Sequence, residues 1–534
     1  MALSNMSGDA SSQSTLDIKQ HFVTREGYYR NLPTYEYSRP NRPSGIHAFT
    51  GSQPPNLPVK ISLVRVPDDD TGYADRILFN VGREIFLYAF KSIWEAPDLS
   101  RPVDRQIHKA LPTCHDINRL NCSAQGCSTV VGFNTGSFQV SDPRKEPHFY
   151  NEDRLLDKTK VTCVKWVPGS TQQLLVGFAS GQILHCDDSL PWSSTLPSYQ
   201  AHKHGDGFAV YTCKSRTPRN PMYRWTIGEG SLDAFAFSPC SKFLATASHD
   251  GFLRVFLFET FDLIGTAKSY FGGLLCVGWS PDSKFVCAAG EDDLVHLFSI
   301  DSRKIVARGR GHRSWITAVA FDPMTSCLAS SSVPASTSNG PVPPSRLPVS
   351  NSKDPPAPAQ TAQRIITYRF ATVGQDTQIC LWELTDDIVK QSTYPRGRGG
   401  SLMINGPVSG LSVPPKSVPA PAPKRVLPLI GNRSAASAAA KSKKEEQERS
   451  AQEKKEKEEV NKAPLGSPLC PKLEDVPLLE PLVCKRIAPE RLNDIVFHDD
   501  CILISTQEGV IMTWCRPGRA LPNDSSSRQN SCSN

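Results

Sequence analysis

The sequence predicts an all-β fold, a β-propeller of seven blades with long disordered insertions, and three observations predict it. One short unit recurs: LDAFAFSPCSKFLATASHDGFLRVF (232–256), LLCVGWSPDSKFVCAAGEDDLVHLF (274–298), and a third copy split into ITAVAFDP (316–323) and FATVGQDTQICLW (370–382). Its period is constant, since Phe237, Trp279 and Phe321 are 42 residues apart in turn, as are Asp250 and Asp292. A repeat of about 40 to 45 residues is the length of one four-stranded blade. Within a copy the side chains alternate with period two: Ile316, Ala318 and Ala320 fall on one face, Thr317, Val319 and Phe321 on the other. That is an extended strand packed on both faces, not a helix.

Each copy reads as strand, turn, strand, turn, strand. Ser-Pro or Asp-Pro follows the first aromatic residue (Ser238-Pro239, Ser280-Pro281, Asp322-Pro323). Proline fixes φ and withholds a donor, so the strand stops there. A second strand (FLATAS, FVCAAG, FATVGQ) runs to an Asp in a tight turn, and a third (FLRVF, LVHLF, QICLW) ends in a large aromatic. With a variable fourth strand this makes a sheet whose faces only neighbouring blades can bury.

Taken in order, residues 1–17 are polar and are expected to be disordered. Residues 18–323 hold blades one to six in part, with an N-terminal closing segment in which KQHFVTREGYYRNLP (19–33) can dock. Blade one is 59–66, 76–81 and 84–90; blade two is 113–118, 128–133 and 137–142; blade three is 161–166, 173–178 and 182–187, followed by a long polar excursion, 188–222. The insertion at 324–363 is rich in Pro, Ser and Thr, and blade six continues over 364–384. The linker at 385–470 adds Gly, Pro, Ala and a run of nearly balanced charge, KSKKEEQERSAQEKKEKEEVNK, a solvated spacer that is at most a transient helix. Such compositions bury too little apolar surface to offset ordering entropy, so both insertions are expected to be disordered. Residues 471–518 supply the fourth strand of blade six (481–487) and three strands of blade seven (491–497, 501–507, 510–514); 519–534 form a disordered tail. The missing outer strand of blade seven is expected from residues 19–58, which closes the ring and leaves no open sheet edge.

Composition narrows the function. A net charge of +7 on 534 residues is mild and does not by itself argue for a nucleic-acid or membrane surface. No signal peptide or membrane span is legible, which is the expectation for a soluble protein of cytoplasm and nucleus. The 16 cysteines are scattered, several of them within strands, with no CxxC pair. Reduced buried thiols are expected, with no metal site and no cofactor. No GxxxxGK[ST], HExxH or GxSxG occurs, so no catalytic residues are assigned. His202-Lys-His204 reads as a polar loop, and Gly228-Glu-Gly230 as a turn.

Gly311-His312 before the third copy and Trp382-Glu383 at its end resemble WD40 repeats. That resemblance implies a buried hydrogen-bonded set of His312, Thr372, Asp376 and Trp382, structural rather than catalytic, because buried polar groups persist only when each is bonded. The insertions at 324–363, 188–222 and 385–478 all fall on one rim of the ring by strand order, so the opposite rim is expected to stand clear. Two large aromatics lie on its loops, Phe271 in SYFGG and Trp315 before ITAVAF. They are candidate partner-binding anchors, or they pack locally against the next blade.

The strings TREGYYRNLP (24–33), NEDRLLDKTKVTCVKWVPGS (151–170), KSYFGGLLCVGWSPD (268–282), GHRSWITAVAFDP (311–323), TYRFATVGQDTQICLWELTDDI (367–388) and LCPKLEDVPLLEPLVCKRIAPERL (469–492) extend the resemblance. They are similar to the family of WD-repeat protein twenty and its dystrophia-myotonica WD-repeat paralogue, and more distantly to a fungal catabolite-repression propeller. What this implies is a non-catalytic scaffold that binds and activates a ubiquitin-specific protease (deubiquitinase) of the twelve or forty-six type, together with a second WD-repeat activator subunit. Pro-Cys-Ser-Lys (239–242) departs from the family's Pro-Asp-Gly-Lys, on a turn. The alternative reading is an RNA- or chromatin-associated scaffold, suggested by the basic balance and the RGG-like Arg396-Gly-Arg-Gly-Gly. Nucleic acid is the less expected partner, and a membrane is not expected at all.

Overall fold

Period-two alternation in every copy produces short strands that pair in sequence order, and the sheets they form are buried by one another. The computed structural model describes residues 21–24, 27–31, 58–68, 72–90, 101–123, 126–192, 195–323, 367–393 and 463–516. Among them are seven antiparallel-built sheets arranged as the blades of a propeller. Blade one runs Ile61–Asp68, Gly72–Val81, Glu84–Phe90 and Asp104–Ile107; blade four runs Leu232–Phe237, Phe243–Ser248, Phe252–Leu257 and Asp262–Lys268, each a four-stranded meander.

Seven apolar clusters hold the ring, and each joins two adjacent blades. Phe79, Phe86 and Tyr88 of blade one meet Leu503 and Ile511 of blade seven. Phe285, Cys287 and Leu297 of blade five meet Phe370, Trp382 and Leu384 of blade six. Along one strand the residues alternate between neighbours: Ile379 and Leu381 face blade seven, whereas Cys380 and Trp382 face blade five. No blade therefore has a core of its own, and every blade depends on both neighbours.

The ring closes through the N-terminus. Gly27–Asn31 pairs with Ile511–Cys515, with Arg30 opposite Cys515 and Asn31 opposite Trp514, and His21–Thr24 adds a further strand outside it. Tyr29 is buried in the cluster shared by blades six and seven. The outer strand of blade six, Val483–Arg486, pairs with Gln378–Thr385 after the long insertion.

The structure corrects three expectations. Residues 188–222 are not only an excursion: Tyr199–Gly205 and Phe208–Cys213 form a hairpin that extends blade three to six strands beyond Tyr223–Ile227. Phe208 and Val210 are buried in the cluster with blade four, which stabilises it. His202-Lys-His204 thus lies in a strand, with the His202 ring against Tyr223 and Phe261. The linker at 385–470 is ordered at both ends. A helix, α1 (Asp386–Thr393), packs Ile388 and Val389 on the cluster of blades five and six, with Asp386 and Asp387 at its positive end. At the other end Cys470 is buried and Leu478–Leu479 pairs parallel to the outer strand of blade five, Lys304–Arg310. The expected disorder at 1–17, 324–363 and 519–534, and the charged run at 441–462, lie outside the described residues.

Buried histidines make the ring acid-labile. Burial pushes His115 down to about 3 and His185 down to about 4. Both bind a proton near pH 6.5 when unfolded and resist it when folded, so their stabilising contribution is complete above pH 6.5 and lost as the pH falls from there. Each costs about 1.4 kcal/mol per pH unit in that window. Asp233, which burial pushes up to about 6, acts oppositely below pH 6. The net expectation is a loss of about 2 kcal/mol between pH 7 and pH 5, read as a lower urea midpoint. An unchanged midpoint at pH 5 would show that these histidines are not buried neutral.

Candidate functional site

The loops that lead into the first strands of blades four, five and six are short, and a turn aspartate of the blade they enter (Asp250, Asp292, Asp376) pins each of them. In the loop at 269–273, Tyr270 N donates to Asp292 Oδ2 (2.7 Å), Gly273 N to Glu291 Oε2 (2.9 Å) and the Ser269 hydroxyl to Gly272 O (2.6 Å). Gly272 takes φ +64°, and a Cβ there would meet the Glu291 side chain at 2.8 Å, so the tight loop requires glycine. With its neighbours tied down, Phe271 projects outward and is 61% exposed. One blade on, Arg313 N donates to Asp376 Oδ2 (2.9 Å) and Gln375 N to Trp315 O (2.9 Å). Trp315 is 43% exposed on that loop. The structure therefore places both predicted anchors outside the packed interior, on rigid loops of the same rim.

The predicted polar set is assembled beneath Trp315. His312 Nδ1 lies 3.1 Å from both carboxylate oxygens of Asp376, His312 Nε2 is 2.8 Å from Thr372 Oγ1, and the Trp382 indole N–H donates to the same hydroxyl oxygen at 2.8 Å. Donation from Nδ1 to Asp376 leaves Nε2 to accept from the Thr372 hydroxyl, so one relay runs from Trp382 through Thr372 and His312 to Asp376. Burial pushes the Asp376 carboxyl up, but the bond and charge of His312 together with the amides of Arg313 and Gln378 outweigh it and hold the group below its usual range. Everything in this set is a partner to something else in it, so it fixes a loop and offers no free base or nucleophile.

Two equivalents escape a reading by motif. In blade five Asp292 pairs with His296 at 2.7 Å, both side chains almost fully buried; in blade four Asp250 pairs with Arg254 at 2.7 Å. Neither has a loop histidine in the place of His312. The signal was present: residues four apart on an extended strand share a face, so a turn aspartate followed at that distance by His or Arg can pair locally.

The rim is less clear than the strand order implies. Residues 463–480 return from the linker along the outer edges of blades four and five. Lys268 N donates to Leu469 O (2.8 Å), and the Cys470 thiol to Ser269 O (3.2 Å). Arg308, fully buried, donates to Lys268 O (3.4 Å) and stacks on the Tyr270 ring at 5.0 Å. A recess of about 360 Å³ results beside Phe271, lined by His249, Asp250, Tyr270, Leu465 and Cys470. Among the described residues no cluster of His, Cys, Asp and Glu could hold a metal ion.

The WD40 family model, described as "WD domain, G-beta repeat", matches residues 224–256, 262–299 and 303–333. The mouse protein named WD repeat-containing protein 20 is 42% identical to this chain over 96% of it and 99% of its own length. The chain belongs to the WD repeat-containing protein 20 family. A Caenorhabditis elegans protein named WD repeat-containing protein 20 homolog is 31% identical over 95% of this chain and 84% of its own. Among solved structures, a chain of "Crystal Structure of Mitotic Checkpoint Complex" overlays with TM-score 0.43 and 8% identity, covering 88% of this chain and 94% of that one, a likeness with no weight here.

For this member of the WD repeat-containing protein 20 family, the phase of the WD40 matches explains the closure. Each match opens on the fourth strand of one blade and continues into the next: 262–299 takes Asp262–Lys268 from blade four and three strands from blade five. Among the described residues, Leu492–Phe497, Cys501–Thr506 and Ile511–Cys515 give blade seven three strands and Gly27–Asn31 supplies the fourth.

Proposed function

We propose that this propeller is a non-catalytic scaffold that binds a ubiquitin-specific protease of the twelve or forty-six type, alongside a second WD-repeat activator subunit, and raises its turnover. The observation that supports binding is the pair of exposed aromatics, Phe271 and Trp315, held on pinned loops of one rim. Exposed aromatics on rigid loops bury large area at small entropic cost. The protease partner itself is supported by the family resemblance of the strings quoted above. As a non-catalytic scaffold it raises turnover by binding the active arrangement of the protease better than the inactive one. Such a partner fits a protein of the cytoplasm and nucleus. The RGG-like fragment at 396–400, which motivated a nucleic-acid reading, lies outside the described residues.

The test is reconstitution. The full chain alone is expected to leave a ubiquitin-amide substrate uncleaved and to raise the turnover of the protease. Phe271→Ala with Trp315→Ala should keep the urea midpoint and weaken binding by at least about 30-fold, the cost of losing one hot spot of about 2 kcal/mol. A complex that forms with unchanged turnover would reduce the protein to a tether; binding unaffected by both substitutions would move the interface off this rim.

A further inference from the structure

Blade six carries two cysteines whose placement serves neither the core relay nor the rim. Gln378–Thr385 and Val483–Arg486 pair antiparallel with Cys380 directly opposite Cys484. The amide of Ile487 donates to Thr377 O at 3.1 Å, and bonded pairs alternate along such a ladder, so Cys380 and Cys484 occupy a non-bonded position. Cα atoms there stand about 4.5 Å apart, within the roughly 4.4–6.8 Å that a disulfide spans. The sulfurs are already 3.4 Å apart, with the Cys380 thiol donating to Cys484 Sγ. Cys484 is exposed and Cys380 fully buried. The Cys484 sulfur also lies 2.8 Å from Gln378 Oε1 and 3.5 Å from Gly311 O, which keep it turned toward its neighbour.

We propose that Cys380 and Cys484 form a modification site, a dithiol that a peroxide oxidises to a disulfide joining the outer strand of blade six to the strand inside it. The bond from Cys380 holds the Cys484 thiol down at about 7, so the accessible sulfur is the one that ionises. Its thiolate attacks one peroxide oxygen; the S–O bond forms, the O–O bond breaks, and hydroxide leaves and is protonated to water. The Cys380 sulfur then attacks the sulfenic sulfur; the S–S bond forms, the S–O bond breaks, and the departing hydroxyl leaves with the Cys380 proton as a second water. Two sulfurs lose two electrons in all, and one peroxide becomes two waters. The consequence is mechanical. Val483–Arg486 is four residues long and is the outer strand of blade six, so the bond ties that edge strand to the one inside it.

The experiment treats the full chain with equimolar hydrogen peroxide and maps peptides without reduction. The expected result is a linked pair containing Cys380 and Cys484, lighter by two hydrogens and separated again by dithiothreitol. Cys484→Ser, on an exposed outer strand, should abolish the link, and Cys380→Ser should leave Cys484 trapped as a dimedone adduct. Cys484 driven to sulfinic acid while Cys380 remains alkylatable after unfolding would overturn the proposal, as would a link between Cys380 and any other cysteine.

Discussion

Trp382→Ala lowers the stability of the ring by about 3 to 5 kcal/mol, the usual cost of emptying a large aromatic site in a packed core. Trp382 is 1% exposed, lies parallel to Phe370 with ring centres 6.0 Å apart, and rests against the bare backbone of Gly309, where a Cβ would come within 2.7 Å of the indole. Its removal opens a cavity between blades five and six and takes a donor from the Thr372 hydroxyl. Against a total of about 5 to 15 kcal/mol for a typical domain, this is a large share. Trp382→Phe should cost less, because it keeps a six-membered ring in the site and loses the pyrrole ring with its N–H. Because the relay ends on Asp376, which pins the Trp315 loop, partner binding should fall with Trp382→Ala even where the ring stays folded. Urea unfolding of the full chain is the check, and a loss below about 1 kcal/mol would mean the site collapses without a cavity.

Deleting residues 1–35 has the second large effect. It strips the partner from Ile511–Cys515 and leaves a row of unpaired backbone donors and acceptors on blade seven. It also removes Tyr29, 4% exposed, from the cluster of blades six and seven. The expected outcome is a truncated chain that elutes as aggregates and melts earlier, because the opened edge recruits other chains. A monodisperse truncated protein with an unchanged melting transition would show that the ring closes without this strand. Tyr29→Ala separates the two contributions, since it keeps the backbone ladder and loses only the packing.

Much of this architecture is legible in the residues because its physics is local. Ser280-Pro281 ends a strand wherever it occurs, the turn aspartates at 250, 292 and 376 sit at fixed distance from the strands they join, and alternating apolar residues announce a sheet buried on both faces. The relay of His312, Thr372, Asp376 and Trp382 is named by the resemblance to WD40 repeats, not by spacing alone. The hairpin at 199–213 was harder to see: YQAHKHG is polar along its length, and only Phe208 and Val210 on the partner strand carry the burial that orders it. The return of residues 463–480 beside Phe271 had no local signal either, since it is held by Cys470, Val476 and Leu479, single residues in an otherwise polar and Pro-rich stretch.

The sequence by itself determined the blade, its period, the number of repeats and which aromatics stand on loops, because each follows from contacts within about one repeat. Only the tertiary structure decided which strand completes blade seven, which blades share each cluster, that the linker's end borders the rim, and that Cys380 lies against Cys484. Those are contacts between residues up to several hundred positions apart. Nothing in the local chemistry of either partner specifies the other; closure of the ring does.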